Sequence, residues 1–123
     1  MKLEGQSAII TGGASGLGAA TARELTNHGV KCTLWDLNEE LGEEVAKEIG
    51  GKFFKVNVSS EEDVKNGLKG AIDAHGIPRI LINCAGLGRA HKIVGKNGPM
   101  PLEDFKFVID TNLIGTFNTS RLV

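Results

Sequence analysis

The chain has 123 residues, 41% of them hydrophobic, which is enough for one compact core and too short for two ordinary domains, so residues 1–123 read as a single domain. Lys and Arg (14) nearly balance Asp and Glu (15), and no basic cluster stands out, which argues against nucleic acid as a partner. Met1-Lys2-Leu3-Glu4-Gly5-Gln6 lacks the apolar centre of a signal peptide and no later apolar run reaches membrane-spanning length; the expectation is a soluble, cytoplasmic protein with no membrane partner.

Along the chain, short β-rich runs alternate with segments of helical period. Ser7 to Thr11 predicts a first strand, and Leu17 to His28 a helix that stops at Gly29, with His28 favouring the negative end of the macrodipole. Val30 to Trp35 is a second strand. Asn38 can cap a helix whose apolar stripe is Leu41, Val45 and Ile49, ended by Gly50-Gly51. Phe53 to Val58 is a third strand, and Ser59 or Ser60 opens a helix with Glu61, Glu62 and Asp63 in its first turn and Val64, Leu68 and Ile72 along its buried face. Arg79 to Asn83 is a fourth strand. A Gly-rich loop follows, then a long helix from Leu102 to the last residue.

Strict alternation of strand and helix argues for a parallel sheet covered on both faces, because parallel neighbours need crossover connections. Right-handed crossovers permit the order 3-2-1-4, with a switch point between strands 1 and 4. The expected fold is therefore α/β, a Rossmann-type doubly wound sheet of four strands.

At the end of the first strand the chain crowds four glycines into Gly12-Gly-Ala-Ser-Gly-Leu-Gly18. A strand-to-helix junction points free helix N–H groups and the positive dipole end at whatever lies above the strand, and bare glycine lets a phosphate approach the backbone. A Gly-rich turn needed only for packing is the competing reading. The Walker pattern fails because Ala19-Ala20 stand where Lys and a hydroxyl residue belong, and G-x-G-x-x-G fails on spacing. Asp36 ends the second strand 18 residues past Gly18, near the roughly 20 expected of a carboxylate that binds an adenosine ribose. At an effective dielectric of 20, a carboxylate about 4 Å from a 2′-phosphate charge is repelled by roughly 4 kcal/mol, about a thousandfold in affinity. No Arg or Lys in the loop or directly after Asp36 offsets this, so NAD is expected over NADP.

Thr11-Gly12-x-x-x-Gly16-x-Gly18 resembles the cofactor loop of the short-chain dehydrogenase/reductase family. Asn83-Cys84-Ala85-Gly86 is similar to that family's N-N-A-G segment, and Asn57-Val58 to its adenine-facing Asp-Val pair, with Asn in place of Asp. The resemblance implies that Thr11, Gly12, Gly16 and Gly18 shape the cradle, with Ser15 and Leu17 beside the cofactor. It further implies that Asn57, Val58, Asn83, Cys84, Ala85 and Gly86 line the adenine and fourth-strand side. The Asn57 side-chain carbonyl would still accept from the adenine amino group. Asn112 matches the family's helix asparagine that helps order an active-site water, and is the catalytic residue expected here. "GGASGLG", "NCAG", "NGPMPLEDF" and "NLIGTFN" are similar to the type II 3-hydroxyacyl-CoA dehydrogenases of the family.

This implies an NAD-dependent enzyme acting on an acyl-CoA or related secondary alcohol, and a homo-oligomer, commonly a tetramer. The family's catalytic Ser, Tyr and Lys are missing from these residues, which contain no tyrosine. The 123 residues are therefore expected to be the incomplete N-terminal half of the domain, inactive alone. The alternative is a non-catalytic NAD-binding or assembly module. Cys32 and Cys84 lack C-x-x-C spacing and a nearby His, so free thiols and no metal site are expected.

Overall fold

A computed structural model describes residues 1–89 and 91–123. Four parallel strands, β1 (Ser7–Thr11), β2 (Lys31–Asp36), β3 (Lys52–Lys55) and β4 (Ile80–Asn83), lie in the order β3-β2-β1-β4 foreseen from the alternation. Helices α1 (Gly16–Asn27), α2 (Glu39–Ile49) and α3 (Glu61–His75) make the crossovers. Beyond β4, a short antiparallel ribbon of β5 (Val94–Gly95) and β6 (Gly98–Pro99) precedes α4 (Leu102–Ile109), a π-helical turn (Asp110–Ile114) and α5 (Gly115–Leu122).

Every residue of β1 is buried, as a central parallel strand covered on both faces must be. Ala8, Ile10, Cys32 and Leu34 face Ala19 and Ala22 of α1 and Val45 and Ala46 of α2. Ile9 and Trp35 face Val64 and Ala71 of α3, with Leu122 closing that side from α5. Local chemistry fixes the helix ends. The Asn38 side chain accepts from the Leu41 N–H at 3.1 Å, the Ser60 hydroxyl accepts from the Asp63 N–H at 3.2 Å, and Gly50 closes α2 in the left-handed region (φ 65).

Two expectations change. β3 ends at Lys55 instead of Val58, because the ladder is interrupted: the Val56 N–H still reaches the Asp36 carbonyl at 3.2 Å, but the Asn57 N–H turns to the Asp63 carboxylate at 2.9 Å. The last helix is not uniform. The Gly115 N–H bonds to the Asp110 carbonyl, five residues back, which widens the helix by one residue before α5 begins.

Three helical glycines exist to admit rings and branched side chains. A Cβ at Gly42 would overlap the Phe53 ring, one at Gly70 would stand 2.6 Å from the Phe54 ring, and one at Gly67 2.6 Å from Val56 Cγ2 and 3.0 Å from the Trp35 indole. Along α4, the π-helical turn and α5, Leu102, Phe105, Leu113 and Phe117 remain exposed. Among the described residues no helix is long and apolar enough to cross a membrane.

Gly67→Ala tests the packing of α3. Alanine improves helix propensity by about 1 kcal/mol, whereas overpacking against a fully buried indole costs roughly 1–3 kcal/mol. The expected result in urea denaturation is a net loss of about 1 kcal/mol; a more stable variant would refute this contact. A second prediction concerns His75, on the last turn of α3 with Nε2 buried. Burial, followed by the charge of Lys31, holds its imidazole below the ordinary 6.5, with Lys52 adding to the effect. A depressed folded pKa means the unfolded chain takes the proton first. Stability is then full above about pH 6.5 and falls as the pH drops below it. Denaturation midpoints measured from pH 7.5 to 5.5 should show this decline, and His75→Gln should flatten it.

Candidate cofactor site

The sheet register sets the strand ends level. Thr11 pairs with Trp35 on one side and with Asn83 on the other, so the loops after β1, β2 and β4 emerge together at the carboxyl edge. This is the switch point of the fold, and a cleft of about 410 Å³ opens there. Of the positions expected to bind cofactor, all line the cleft except Thr11 and Asn83. Those two act from behind it. Thr11 is fully buried, and its hydroxyl accepts from the N–H groups of Cys84 (3.1 Å) and Ala85 (3.0 Å), tying the loop after β4 to the end of β1. Asn83 accepts from the Thr119 hydroxyl at 2.7 Å and donates to Ser120 at 3.3 Å, tying β4 to α5.

At Gly12 (φ 64) the two loops cross so closely that a Cβ would stand 2.7 Å from the Cys84 carbonyl carbon. A Cβ at Gly18 would overlap the Gly12 carbonyl oxygen, so this glycine lets α1 sit directly against the loop. Gly16 differs: nothing lies within 4 Å of where its Cβ would be. Its φ of 52 calls for glycine by itself, and a side chain there would stand in open space beside the cleft.

The electrostatics of α1 agree. Helices α2 and α3 have side-chain caps and two or three acidic residues in their first turns, whereas α1 has neither; Ser15 occupies the cap position without a side-chain hydrogen bond. The first-turn N–H groups and the positive end of the dipole are left for an anion. The Asp36 carboxylate stands beside them. One oxygen accepts from the Ala14 N–H at 3.1 Å and the other from the Asn38 N–H at 3.0 Å, which fixes the carboxylate between the glycine loop and the start of α2. Leu17 holds an apolar side chain, 81% exposed, at the cleft mouth.

On the β3 side, Asn57 and Val58 line the cleft, but the Asn57 carbonyl oxygen is already engaged. It accepts from the Ser59 N–H (3.0 Å) and hydroxyl (2.7 Å), which corrects the expectation that it stands ready for an adenine amino group. Asn112, in the π-helical turn, engages both ends of its amide on Leu87: Oδ1 accepts from the Leu87 N–H at 2.9 Å and Nδ2 donates to the Leu87 carbonyl at 2.8 Å. Cys84 and Cys32 are free thiols. Burial raises the pKa of Cys32, leaving it an inert core group.

Sequence reasoning missed Phe107 and Thr111, which close the far side of the cleft from successive turns, and Leu37 beside Asp36. Arg89 stacks its guanidinium over the Phe107 ring at 4.8 Å while pairing with Asp104. The i, i+4 spacing of Phe107 and Thr111 is legible, but nothing in the sequence tells which helical face meets the cleft.

The profile of the family described as short chain dehydrogenase matches residues 6–123. A fruit-fly protein (Drosophila melanogaster) named 3-hydroxyacyl-CoA dehydrogenase type-2 is 48% identical over 93% of this chain and 46% of its own length. The human protein of the same name is 44% identical over 98% of this chain and 48% of its own. A lavender protein (Lavandula x intermedia) named borneol dehydrogenase, mitochondrial, is 39% identical over 94% of the chain and 44% of its own length. The chain thus spans about half the length of the curated relatives it matches. A profile match across nearly all of these residues, on a β3-β2-β1-β4 parallel sheet with the glycine loop at its switch point, makes the chain a member of the short-chain dehydrogenase family.

Proposed function

We propose that the cleft binds NAD and that the protein is an NAD-dependent dehydrogenase acting on a secondary alcohol, with a 3-hydroxyacyl-CoA as the leading substrate class. One observation carries the cofactor reading: the only uncapped, acid-free N-terminus among α1, α2 and α3 opens onto the same cleft as an anchored carboxylate. In this reading the N–H groups at Gly16, Leu17 and Gly18 hold the pyrophosphate, Ser15 flanks it, and Asp36 accepts from the adenosine ribose hydroxyls. Asn57 and Val58 form the adenine wall. Ala85 and Gly86 keep the β4 side low, and Asn112 positions that loop through Leu87. When bound, the nicotinamide accepts or gives the hydride.

The substrate class rests on the names of the relatives together with "NCAG" and "NLIGTFN". The base that takes the alcohol proton is not among these residues, which contain no tyrosine, so residues 1–123 supply the cofactor half of the reaction and should not turn over alone. Free Cys32 and Cys84 fit a reducing intracellular compartment, the cytosol in this reading. The exposed row of Leu102, Phe105, Leu113 and Phe117 fits a homo-oligomer interface.

Calorimetry on the full-length protein should detect NAD and show a preference over NADP of tenfold or more, and Asp36→Ala should erase most of that preference. An unchanged preference sinks the role of Asp36, and no association with NAD sinks the whole reading. NAD reduction with 3-hydroxybutyryl-CoA then separates enzyme from module: binding without turnover on any secondary alcohol tested supports the module.

A further inference from the structure

Asn118 has no part in the site as described, yet it is 4% exposed and both ends of its amide are engaged. Its Nδ2 donates to the Val58 carbonyl at 2.8 Å, across a sequence separation of 60 residues. Its Oδ1 accepts from the Arg121 guanidinium at 2.9 Å, and the same guanidinium nitrogen lies 3.4 Å from Glu61 at the start of α3. One turn earlier on α5, a Cβ at Gly115 would stand 2.5 Å from Val58 Cγ2. Two successive turns of α5 therefore bear on one cleft residue, the first through bare backbone and the second through a hydrogen bond.

The peptide joining Val58 to Ser59 is held at both ends. Its N–H, on Ser59, is taken by the Asn57 side-chain oxygen at 3.0 Å, and its carbonyl by Asn118. Fixing this plane fixes where the Val58 side chain and the Asn57 amide stand on the cleft wall. Arg121 in turn fixes the Asn118 amide, because its guanidinium can only donate and so commits Oδ1 as acceptor and Nδ2 as donor to Val58.

We propose that Asn118 is a positioning residue for the adenosine half of the cofactor, acting through the Val58 carbonyl and oriented by Arg121 and Glu61. The proposal rests on the NAD reading above. It also makes a distinction that a general structural role does not: the wall it sets faces the adenine end, so the nicotinamide end should be indifferent to it.

The test is competition binding on the full-length protein with ADP-ribose, which carries the adenosine half, and with reduced nicotinamide mononucleotide, which lacks it. Asn118→Leu should weaken ADP-ribose about fivefold, the loss of one neutral hydrogen bond, and leave the mononucleotide within twofold. Arg121→Ala, at the more exposed end of the relay, should weaken ADP-ribose two- to threefold with the same selectivity. Equal weakening of both ligands, or no weakening in either variant, overturns the proposal. If Asn118→Leu does not fold, Arg121→Ala decides alone. Wild-type protein that binds neither ligand refutes the dinucleotide reading itself, before any variant is compared.

Discussion

The site depends on a crossing of two bare backbones. At the carboxyl ends of β1 and β4, Gly12 passes over the Cys84-Ala85 peptide with no room for a side chain between them, and the buried Thr11 hydroxyl gathers the N–H groups of both Cys84 and Ala85. The Cys84 N–H also reaches the Thr11 backbone carbonyl at 3.2 Å, whereas the Ala85 N–H lies past the end of the parallel ladder and would otherwise need water or a ligand. By satisfying them internally, Thr11 lets the loop after β4 stay low and leaves the cleft to the N–H groups of α1. The glycine run is thus two devices in one stretch: Gly12 and Gly18 give close approach between protein segments, whereas Gly16 leaves open space.

A second constraint comes from the far end of the chain. The π-helical turn between α4 and α5 inserts one residue into the helical ladder, and the two sides of that insertion serve different surfaces. Before and within it, Phe107 and Thr111 face the cleft and Asn112 clamps Leu87. After it, Gly115, Asn118 and Thr119 are buried against Val58 and Asn83. A regular helix would have to choose one phase. The wide turn allows one helical segment to close the cleft and buttress two of the loops that line it, those after β3 and β4.

What the sequence discloses follows from how local each feature is. The four strands and their order are legible because alternation and crossover handedness leave few topologies, and the glycine loop is legible because its spacing excludes the other phosphate motifs. Asn38 and Ser60 announce their helix starts through side chains that act three residues away. The misses are features that periodicity does not encode. β3 is cut short by Asp63, a carboxylate in the next helix, and the Asn57 side-chain oxygen is taken two residues on by Ser59 in a side-chain turn that competes with any ligand. Asp-Thr-Asn-Leu-Ile carries neither Pro nor Gly to mark the wide turn. Asn118 shows in the sequence only as part of an Asn-Thr-Ser tripeptide, and its bond to Val58 emerges when α5 docks.

Asp36 shows why selectivity and architecture cannot be separated in such a site. Its two oxygens accept from Ala14, inside the glycine loop, and from Asn38, the cap of α2, so the carboxylate that would read the ribose also braces the loop that would hold the pyrophosphate. Each oxygen retains a further lone-pair site, so neither backbone bond prevents it from accepting a ribose hydroxyl. The bracing has an electrostatic consequence. Two N–H donors offset part of the cost of holding a carboxylate near a loop proposed to bind phosphate without any basic side chain, and a basic side chain there would erase the proposed discrimination against a 2′-phosphate. Backbone amides provide what a cation could not: they fix the position of a negative charge while leaving its repulsion of a second negative charge largely intact.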